Sequence, residues 1–279
     1  MSYNDKHFSM EFFPPKNEEL RVKLKDTISK IGALGPSYMS VTFGAGGSTQ
    51  QGTMDTVGDI QAAGFIAAPH ISCIDSTKDS VRDMLEIYRA QGIDRLVALR
   101  GDIPEGTEGE IREFMYANEL VEFIRSEMGD HFIIEVAAYP EFHPEAPSAT
   151  DDIINYVRKV KAGADSAITQ YFYNADAYFR FVDESRKLGA DVPIVPGIMP
   201  ITNYEQLARF SDVCGAEIPR WIRRRLEGFG DDKLAIREFG LDVTEQLCRR
   251  LLDGGAPGLH FFTMNQSGPT TALWKALDL

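Results

Sequence analysis

The 279-residue sequence predicts a (β/α)₈ barrel, on two observations. Eight short, mostly apolar segments alternate with longer amphipathic segments, and glycine or proline marks most of the joints. Eight such units in a chain of this length are typical of this barrel. A doubly wound open sheet is the alternative, but its dinucleotide fingerprint is missing, because Thr49 stands where Gly44–Thr49 would need its third glycine.

The candidate strands are short and apolar, as strands of a parallel sheet covered on both faces usually are. They are Phe8–Phe13, Tyr38–Phe43, Ile66–Cys73, Arg95–Leu99, Phe132–Ala138, Ser166–Phe172, Pro193–Ile198 and Gly258–Phe262.

Helices are predicted where apolar residues recur at spacings of three and four. The candidates are Glu18–Leu34, Thr77–Gln91, Met115–Met128, Ser148–Ala162, Ala175–Leu188 and Thr270–Leu277, with Pro269 as a start signal for the last. A long insertion between the seventh and eighth strands holds Asn203–Val213, Ile218–Leu226 and a helix around Asp232–Asp253. No linker interrupts the pattern, so we expect a single catalytic domain over residues 1–279.

Charge and cysteine content narrow the classes of partner. The net charge is −13, and an acidic surface repels phosphate backbones and anionic lipid, so neither nucleic acid nor membrane is an expected partner. A small anionic ligand remains compatible if its site is locally basic. The three cysteines form no CxxC pair, and the polar N-terminus has no signal-peptide core, which favours the reducing cytoplasm.

A barrel carries its active site at the carboxyl ends of its strands. The polar residues expected there are Glu11, Thr42, His70, Arg100 with Asp102, Tyr139 with His143, Gln170, and Thr263 with Asn265. None is a lysine, which disfavours Schiff-base chemistry. There is no His-x-His pair for a hydrolytic metal centre, no GxSxG elbow and no Walker loop. The chemistry that these residues still allow is proton transfer by a carboxyl group, beside polar groups that hold an organic cofactor.

Two of these positions have a specific chemical rationale. Glu11 precedes Phe12–Pro15, and such an apolar, proline-stiffened setting favours a protonated carboxyl group, as a general acid needs. In Arg100-Gly101-Asp102, the glycine permits close approach of a ligand and the arginine offers a fork for an anion. The structural alternatives are a rim salt bridge for Glu11, an Arg100–Asp102 surface pair, and a satisfied core residue for His70.

Seven segments at these strand ends carry a family resemblance, in order and across essentially the whole chain. They are Glu11–Pro15, Val41–Ala45, Ala68–His70, Ala98–Asp102, Ala137–Glu141, Ala167–Gln170 and Pro196–Pro200. Together they resemble methylenetetrahydrofolate reductases of the short bacterial type.

The resemblance implies a barrel that binds FAD non-covalently and reduces 5,10-methylenetetrahydrofolate to 5-methyltetrahydrofolate with NAD(P)H. It implies a ping-pong scheme in one shared pocket, with the hydride passing through flavin N5. Glu11 matches the general acid, Asp102 matches the carboxylate beside the flavin, and Gln170 matches a residue that contacts both the pterin and the nicotinamide.

The same resemblance assigns binding residues. Those on the flavin and ribityl side are Thr42, His70, Arg100, Gly101 and Asp102; those on the pyrophosphate and adenosine side are Tyr116, Ala117, Tyr139, His143, Asp152, Asn155, Arg158 and Lys159. Substrate contacts are assigned to Glu11, Thr42, Asp102, Gln170, Gln206, Phe210 and Gln266. Gln266 departs from the family, which can place an arginine there, so it keeps hydrogen bonding but loses a charge.

Two other readings stay open at this point. One is a flavin-independent reductase of the same fold, with direct hydride transfer from nicotinamide to folate. The other is a non-catalytic subunit that binds folate or flavin and docks on a partner enzyme. NADH and NADPH are not distinguished, and the segment Ile218–Asp253 is a candidate contact surface of a homo-oligomer.

Overall fold

The computed structural model describes residues 6–43, 50–74, 76–103, 106–107 and 112–279. Within them, nine parallel strands form the predicted barrel. Their bounds are β1 His7–Phe12, β2 Tyr38–Val41, β3 Ala67–Ser72, β4 Arg95–Leu99, β5 Ile133–Ala138, β6 Ser166–Thr169, β7 Ile194–Val195, β8 Gly197–Ile198 and β9 Gly258–Phe262. They lie in the order β7-β6-β5-β4-β3-β2-β1-β9-β8. The segment Gly44–Thr49, which was compared with the dinucleotide fingerprint, lies outside the described residues.

The predicted seventh strand is split at Pro196. The part before the proline, β7, pairs with β6, and the part after it, β8, pairs with β9. Proline has no N–H for the ladder, but the Pro196 carbonyl still accepts from the His260 N–H at 2.9 Å. The two halves therefore act as one strand that brings the sheet round into a barrel.

Helices follow the strands around the outside of the barrel. They are α1 Glu18–Gly32, α2 Gln50–Ala62, α3 Lys78–Ala90, α4 Ala117–Met128, α5 Ala149–Lys161, α6 Ala175–Lys187, α7 Tyr204–Cys214, α8 Arg220–Phe229, α9 Lys233–Asp253 and α10 Ser267–Ala276. Helix α10 begins three residues before the predicted Thr270, so Pro269 lies inside its first turn rather than before it.

Helix α2 is absent from the sequence-based prediction. Its buried residues are Thr53, Thr56, Val57 and Ile60, and two of these four are polar residue types. Thr53 Oγ1 donates to the Thr42 carbonyl at 2.9 Å, and Thr56 Oγ1 donates to the Gly52 carbonyl at 2.8 Å. Threonines that bond backbone carbonyls in this way can be buried, but they weaken the apolar periodicity on which the prediction rests.

The strands are apolar on their outer face and polar on their inner face. Met10, Met39 and Ile134 belong to the buried core under the helices. The alternate positions Tyr38 and Glu135 contact each other, although β3 and β4 separate their strands in the sheet. This contact therefore crosses the barrel interior, and the strands are less uniformly apolar than predicted.

The three cysteines are free thiols. Burial raises the pKa of Cys73 to about 12 and holds the pKa of Cys248 well above its usual range. These two groups therefore stay protonated and act as packing residues. Across the described residues, no helix has the length and apolar character that crossing a membrane requires.

Candidate active site

A half-buried carboxyl group and two buried histidines meet at the mouth of the barrel. Glu11 Oε2 lies 3.3 Å from His260 Nε2 and 3.5 Å from His70 Nε2, and the Glu11 side chain is 17% exposed. The three residues come from β1, β9 and β3. Because all strands are parallel, their carboxyl ends lie at one edge, as the sequence predicted for Glu11 and His70. The open side of Glu11 faces the region where a ligand of a barrel enzyme binds.

His260 is a site residue that the sequence analysis did not identify. Its side chain is fully buried, and its Nδ1 lies 2.7 Å from Ser9 Oγ. Ser9 and Glu11 are two residues apart on β1, so they point to the same face of the sheet. The alternation of side chains along a strand could have identified His260. Ser9 and Glu11 alternate with apolar residues on β1, and His260 stands between Leu259 and Phe261 on the neighbouring β9, in register with Ser9.

His70 contributes a neutral ring beside Glu11. Burial lowers the pKa of His70 to about 4, although the Glu11 charge opposes this shift. Among the described residues its Nε2 has no hydrogen-bond partner. His70 is therefore an unsatisfied polar group at the mouth of the barrel, rather than the satisfied core residue that the sequence also allowed.

The lowered pKa of His70 has a consequence for acid stability. The unfolded chain takes up a proton near pH 6.5 and the folded chain only near pH 4, so His70 makes stability fall as pH drops between these values. The loss amounts to about 3 kcal/mol. We expect His70→Gln to reduce this part of the acid sensitivity, measured as the unfolding free energy in urea at pH 7.5 and pH 4. A wild-type and a variant that lose stability in parallel would contradict the assignment.

A turn after β9 fixes the backbone around Glu11. Met264 and Asn265 adopt positive φ angles of 52° and 55°. Asn265 Nδ2 donates to the Phe13 carbonyl at 2.8 Å, and the Phe13 N–H donates to Asn265 Oδ1 at 3.1 Å. Thr263 Oγ1 donates to the Glu11 carbonyl at 2.6 Å. Thr263 and Asn265 therefore hold the end of β1 in place.

The Arg100 fork is directed at Glu145. Its two terminal nitrogens lie 2.7 and 2.9 Å from the Glu145 carboxylate oxygens. The alternative of an Arg100–Asp102 surface pair is therefore wrong, and Asp102 is exposed beside the mouth. Between them, Gly101 has a φ of +87°, and a Cβ there would lie 2.0 Å from Ser72 Oγ. Only glycine fits this position without a shift of its neighbours.

A mixed cluster of charges lies on α5 and the loop before it. Burial lowers the pKa of Lys159 to about 8, and its Nζ donates to the Ala137 carbonyl at 2.5 Å. The buried Asp152 accepts from the His143 N–H at 3.1 Å, and burial raises the pKa of this carboxyl. The rings of Tyr139 and His143 pack edge to face, 4.6 Å apart. These four predicted residues are therefore neighbours.

The remaining predicted residues of this side are on the surface. Arg158 is exposed and donates to Asn155 Oδ1 at 2.8 Å. Tyr116 is 57% exposed and precedes Ala117, the first residue of α4. All four side chains are thus accessible on the helices that follow β4 and β5.

The predicted substrate residues come from three further elements. Gln170 follows β6, and its Oε1 accepts from the Tyr171 N–H at 2.9 Å. Tyr171 Oη lies 3.0 Å from Ser211 Oγ, which ties α7 to the end of β6. Helix α7 carries Gln206 and Phe210 one turn apart, with Phe210 38% exposed. Gln266 is exposed at the start of α10.

Fold and site together define a (β/α)₈-barrel enzyme with a carboxyl group and two imidazoles in contact at the carboxyl ends of its strands. The chain belongs to the methylenetetrahydrofolate reductase family, whose sequence model matches residues 1–278. It is 39% identical to 5,10-methylenetetrahydrofolate reductase of Escherichia coli, over 97% of this chain and 90% of that protein. It is 36% identical to methylenetetrahydrofolate reductase (NADH) 1 of Zea mays, over 98% of this chain and 48% of that protein. The chain is therefore an oxidoreductase.

A solved structure shares the fold at low sequence identity. It is an uncharacterized protein from Clostridium thermocellum, described as binding two copies of 5-methyl-5,6,7,8-tetrahydrofolic acid. The superposition has a TM-score of 0.72 at 18% identity and covers 98% of this chain and 95% of that one. At this identity the likeness supports the barrel.

Proposed function

We propose that this chain reduces 5,10-methylenetetrahydrofolate to 5-methyltetrahydrofolate with NAD(P)H, through non-covalently bound FAD, in a ping-pong reaction in one pocket. The observation that carries the proposal is Glu11, 17% exposed at the mouth of the barrel and 3.3 Å from the buried His260. The family membership supplies the class of substrate.

The proposed reaction needs a proton at a folate nitrogen. The five-membered ring of the substrate must open to an electrophilic iminium before it accepts a hydride, and the departing nitrogen takes a proton in that step. Glu11 has the reach for this role, because its carboxyl group is open to the mouth on one side and backed by imidazoles on the other. A positioned acid of this kind typically accelerates such a step by roughly 10²–10⁴-fold.

The residues of the mouth fit a flavin. Among the described residues, Thr42 Oγ1 and His70 Nε2 are buried without hydrogen-bond partners, and a polar ligand would satisfy both. Gly101 lies on the loop after β4, where Ser72 Oγ fills the position of a Cβ. When bound, FAD supplies two-electron chemistry, taking a hydride from NAD(P)H and passing it to the folate. We assign its flavin and ribityl side to Thr42, His70, Arg100, Gly101 and Asp102.

The pyrophosphate and adenosine side is assigned to the cluster around α5, with Tyr116 and Ala117 at the start of α4. Since Glu145 already neutralises Arg100, the positive charge left for two phosphates comes mainly from Lys159 and Arg158. Tyr139, His143, Asp152 and Asn155 complete this side. These two positive charges would allow a protein of net charge −13 to bind an anionic cofactor.

The folate is assigned to the part of the mouth formed by α7 and the end of β6. Phe210 offers an exposed ring for stacking, and Gln206 lies one turn earlier on the same face of α7. Gln170 offers an amide to the pterin and to the nicotinamide in turn, and Thr42 and Gln266 add hydrogen-bonding groups. Asp102 adds a negative charge that favours the cationic iminium.

Removal of the Lys159 charge should weaken FAD binding. A hydrogen bond to a charged group contributes about 1–3 kcal/mol, so we expect Lys159→Met to raise the FAD dissociation constant roughly 5–150-fold. Arg158→Met should have a smaller effect, since this side chain is exposed. Lys161→Met, in the last turn of the same helix, is the matched control. Equal FAD affinity in the Lys159 and Lys161 variants would show that Lys159 only stabilises the helix.

Turnover by the isolated chain tests the proposed function. Purified protein with FAD, NADH or NADPH and methylenetetrahydrofolate should produce methyltetrahydrofolate at a rate proportional to protein concentration. A chain that binds folate or flavin but produces none would be the non-catalytic subunit instead.

A further inference from the structure

We propose that Glu141 is a positioning residue that couples the flavin side of the pocket to the folate side. It joins the loop after β5, residues 139–148, to the segment after α7, residues 215–219. The loop carries His143 of the assigned flavin side, and α7 carries Phe210 of the assigned folate side. FAD that binds against the loop then also fixes the helix that receives the folate. This inference rests on the proposed function.

A hydrogen bond to a backbone N–H is the first contact between the loop and the segment. The Glu217 N–H donates to Glu141 Oε2 at 2.7 Å, although the two residues are 76 positions apart in sequence. Ala216 and Ile218, on either side of Glu217, are buried and belong to the hydrophobic core. The donor is therefore held in place by packing, and its bond to Glu141 fixes the loop after β5 against it.

Glu141 is able to accept this bond at neutral pH. Burial raises the pKa of Glu141 to about 6, and the Glu217 carboxylate adds to the rise, while the Glu217 N–H and the charge of Arg180 on α6 oppose it. The group is therefore mostly a carboxylate at neutral pH, which accepts hydrogen bonds and donates none. Glutamine at this position would keep an acceptor oxygen, whereas alanine would keep none.

A turn at Phe142 separates Glu141 from the flavin side of the same loop. Phe142 has a φ of 72°, in the left-handed region that residues other than glycine rarely adopt. The residues before and after it have different partners, because Glu141 accepts from Glu217 and the His143 N–H donates to Asp152 Oδ2 at 3.1 Å. The loop is therefore held by α5 on one side and by the segment after α7 on the other.

A second contact joins the same two parts of the chain at Gly215. This residue ends α7 with a φ of +75°, and a Cβ there would lie 2.8 Å from Pro144 Cγ. Pro144 follows His143 directly in the loop after β5. The loop and the end of α7 are therefore packed so closely at this point that they leave no room for a side chain.

The end of α7 leads directly to the folate side. The Gly215 N–H donates to the Ser211 carbonyl at 2.9 Å, and Ser211 follows Phe210 in the helix. Ser211 is buried, and its Oγ lies 3.0 Å from Tyr171 Oη. Helix α7 is thus fixed to the residues after β6 through Ser211 and to the loop after β5 through its end. The place of the exposed Phe210 ring depends on both attachments.

Hydrogen exchange tests the coupling without turnover. Addition of FAD to FAD-free protein should slow amide exchange in α5 and also in α7, to which no FAD contact is assigned. In Glu141→Ala the slowing in α5 should remain and the slowing in α7 should be lost. Glu141→Gln keeps the acceptor and should behave as the wild type. Equal slowing of α7 in wild-type and Glu141→Ala protein would overturn the inference, as would a wild-type α7 that FAD leaves unchanged.

The kinetics of the holoenzyme give a second readout. In Glu141→Ala we expect the FAD dissociation rate and the KM for the folate to rise together by roughly 3–10-fold, the effect of one hydrogen bond. The rate of flavin reduction at saturating NAD(P)H should stay the same. Glu184→Ala removes another acid that lines the same cavity as Glu141 and should change neither constant. An increase in FAD dissociation alone would confine Glu141 to the loop and contradict the coupling.

Gly215→Ala tests the second contact. The new Cβ would meet Pro144, so FAD dissociation and the KM for the folate should rise as in Glu141→Ala. Gly189→Ala is the matched control, because Gly189 also follows a helix, with a φ of +84°, but a Cβ there has no atom of the described residues within 4 Å. It should lower stability and change neither constant. Identical kinetic constants in the two glycine variants would contradict a role for this contact.

Failure of the proposed function can be told apart from failure of the inference. Wild-type protein that binds no FAD and forms no methyltetrahydrofolate would end the proposed function. Exchange in FAD-free protein would then still decide whether Glu141 positions the helix, since α7 should exchange faster in Glu141→Ala than in the wild type and in Glu141→Gln. An α7 that exchanges at the same rate in all three proteins would overturn the inference.

Discussion

Glu11→Gln should abolish folate reduction while leaving reduction of the bound flavin by NAD(P)H intact. Glutamine keeps the shape and packing of Glu11 but cannot deliver a proton to the folate nitrogen. We expect a loss of roughly 10²–10⁴-fold in the folate half-reaction, the range that one positioned general acid supplies. The two half-reactions can be measured separately by stopped flow at the flavin absorption band.

Asp102→Asn is the matched comparison for this variant. It also removes one carboxylate at the mouth, but a charge beside the flavin enters both half-reactions through the potential of the cofactor. We therefore expect Asp102→Asn to change both rates and Glu11→Gln to change one. Equal slowing of both half-reactions by Glu11→Gln would assign Glu11 to cofactor positioning and leave the proton donor unidentified.

Arg95→Leu should cause a large loss of stability. Glu135 is 2% exposed, and without Arg95 its carboxylate would be buried with no counter-ion. Removing one partner of a buried ion pair costs about 3–5 kcal/mol. We expect a value near the lower end, because the Arg95 side chain is 24% exposed and water can reach the position. Urea unfolding of wild-type and variant protein measures the difference.

Two further variants locate the cause of this loss. Arg82→Leu removes an arginine that pairs with Asp79 and Glu127 on the surface, and should cost less than about 1 kcal/mol. Glu135→Gln combined with Arg95→Leu removes the charge that was left unpaired, so it should recover part of the lost stability. A double variant no more stable than Arg95→Leu would attribute the loss to packing of the arginine stem.

The strands were predictable because each is a short apolar run between breaking residues. Arg95–Leu99 and Gly258–Phe262 match the observed strands residue for residue, and most others differ by one to three residues at an end. The split of the seventh strand at Pro196 follows from the missing N–H of proline, but which neighbour each half would join depends on closure of the barrel.

The polar interior was not predictable from local pattern. Ser9, Tyr38, Glu135 and His260 come from four strands, and in two of them, β5 and β9, the polar residue stands alone in an apolar run. Their hydrogen-bond partners lie on other strands and come within reach only when the barrel closes. A prediction made from each strand separately therefore favours an apolar barrel interior. Helix α2 was missed for a related reason, since its buried threonines are satisfied by backbone carbonyls.

The location of the site could be predicted from the sequence, but the contacts between its residues could not. Parallel strands bring all their carboxyl ends to one edge, which located Glu11, His70 and Arg100 correctly. Which groups pair there depends on distances between loops that are far apart in sequence. Arg100 is bound by Glu145, 45 residues away, and Glu11 faces His260, 249 residues away.

The visible spectrum of the purified protein, before and after NADH under anaerobic conditions and then after methylenetetrahydrofolate, tests the central claim most directly. The account predicts a yellow protein whose flavin band is bleached by NADH or NADPH and restored by the folate. A colourless protein that reduces the folate at full rate without added flavin would contradict it, and would favour direct hydride transfer from nicotinamide to folate on the same barrel.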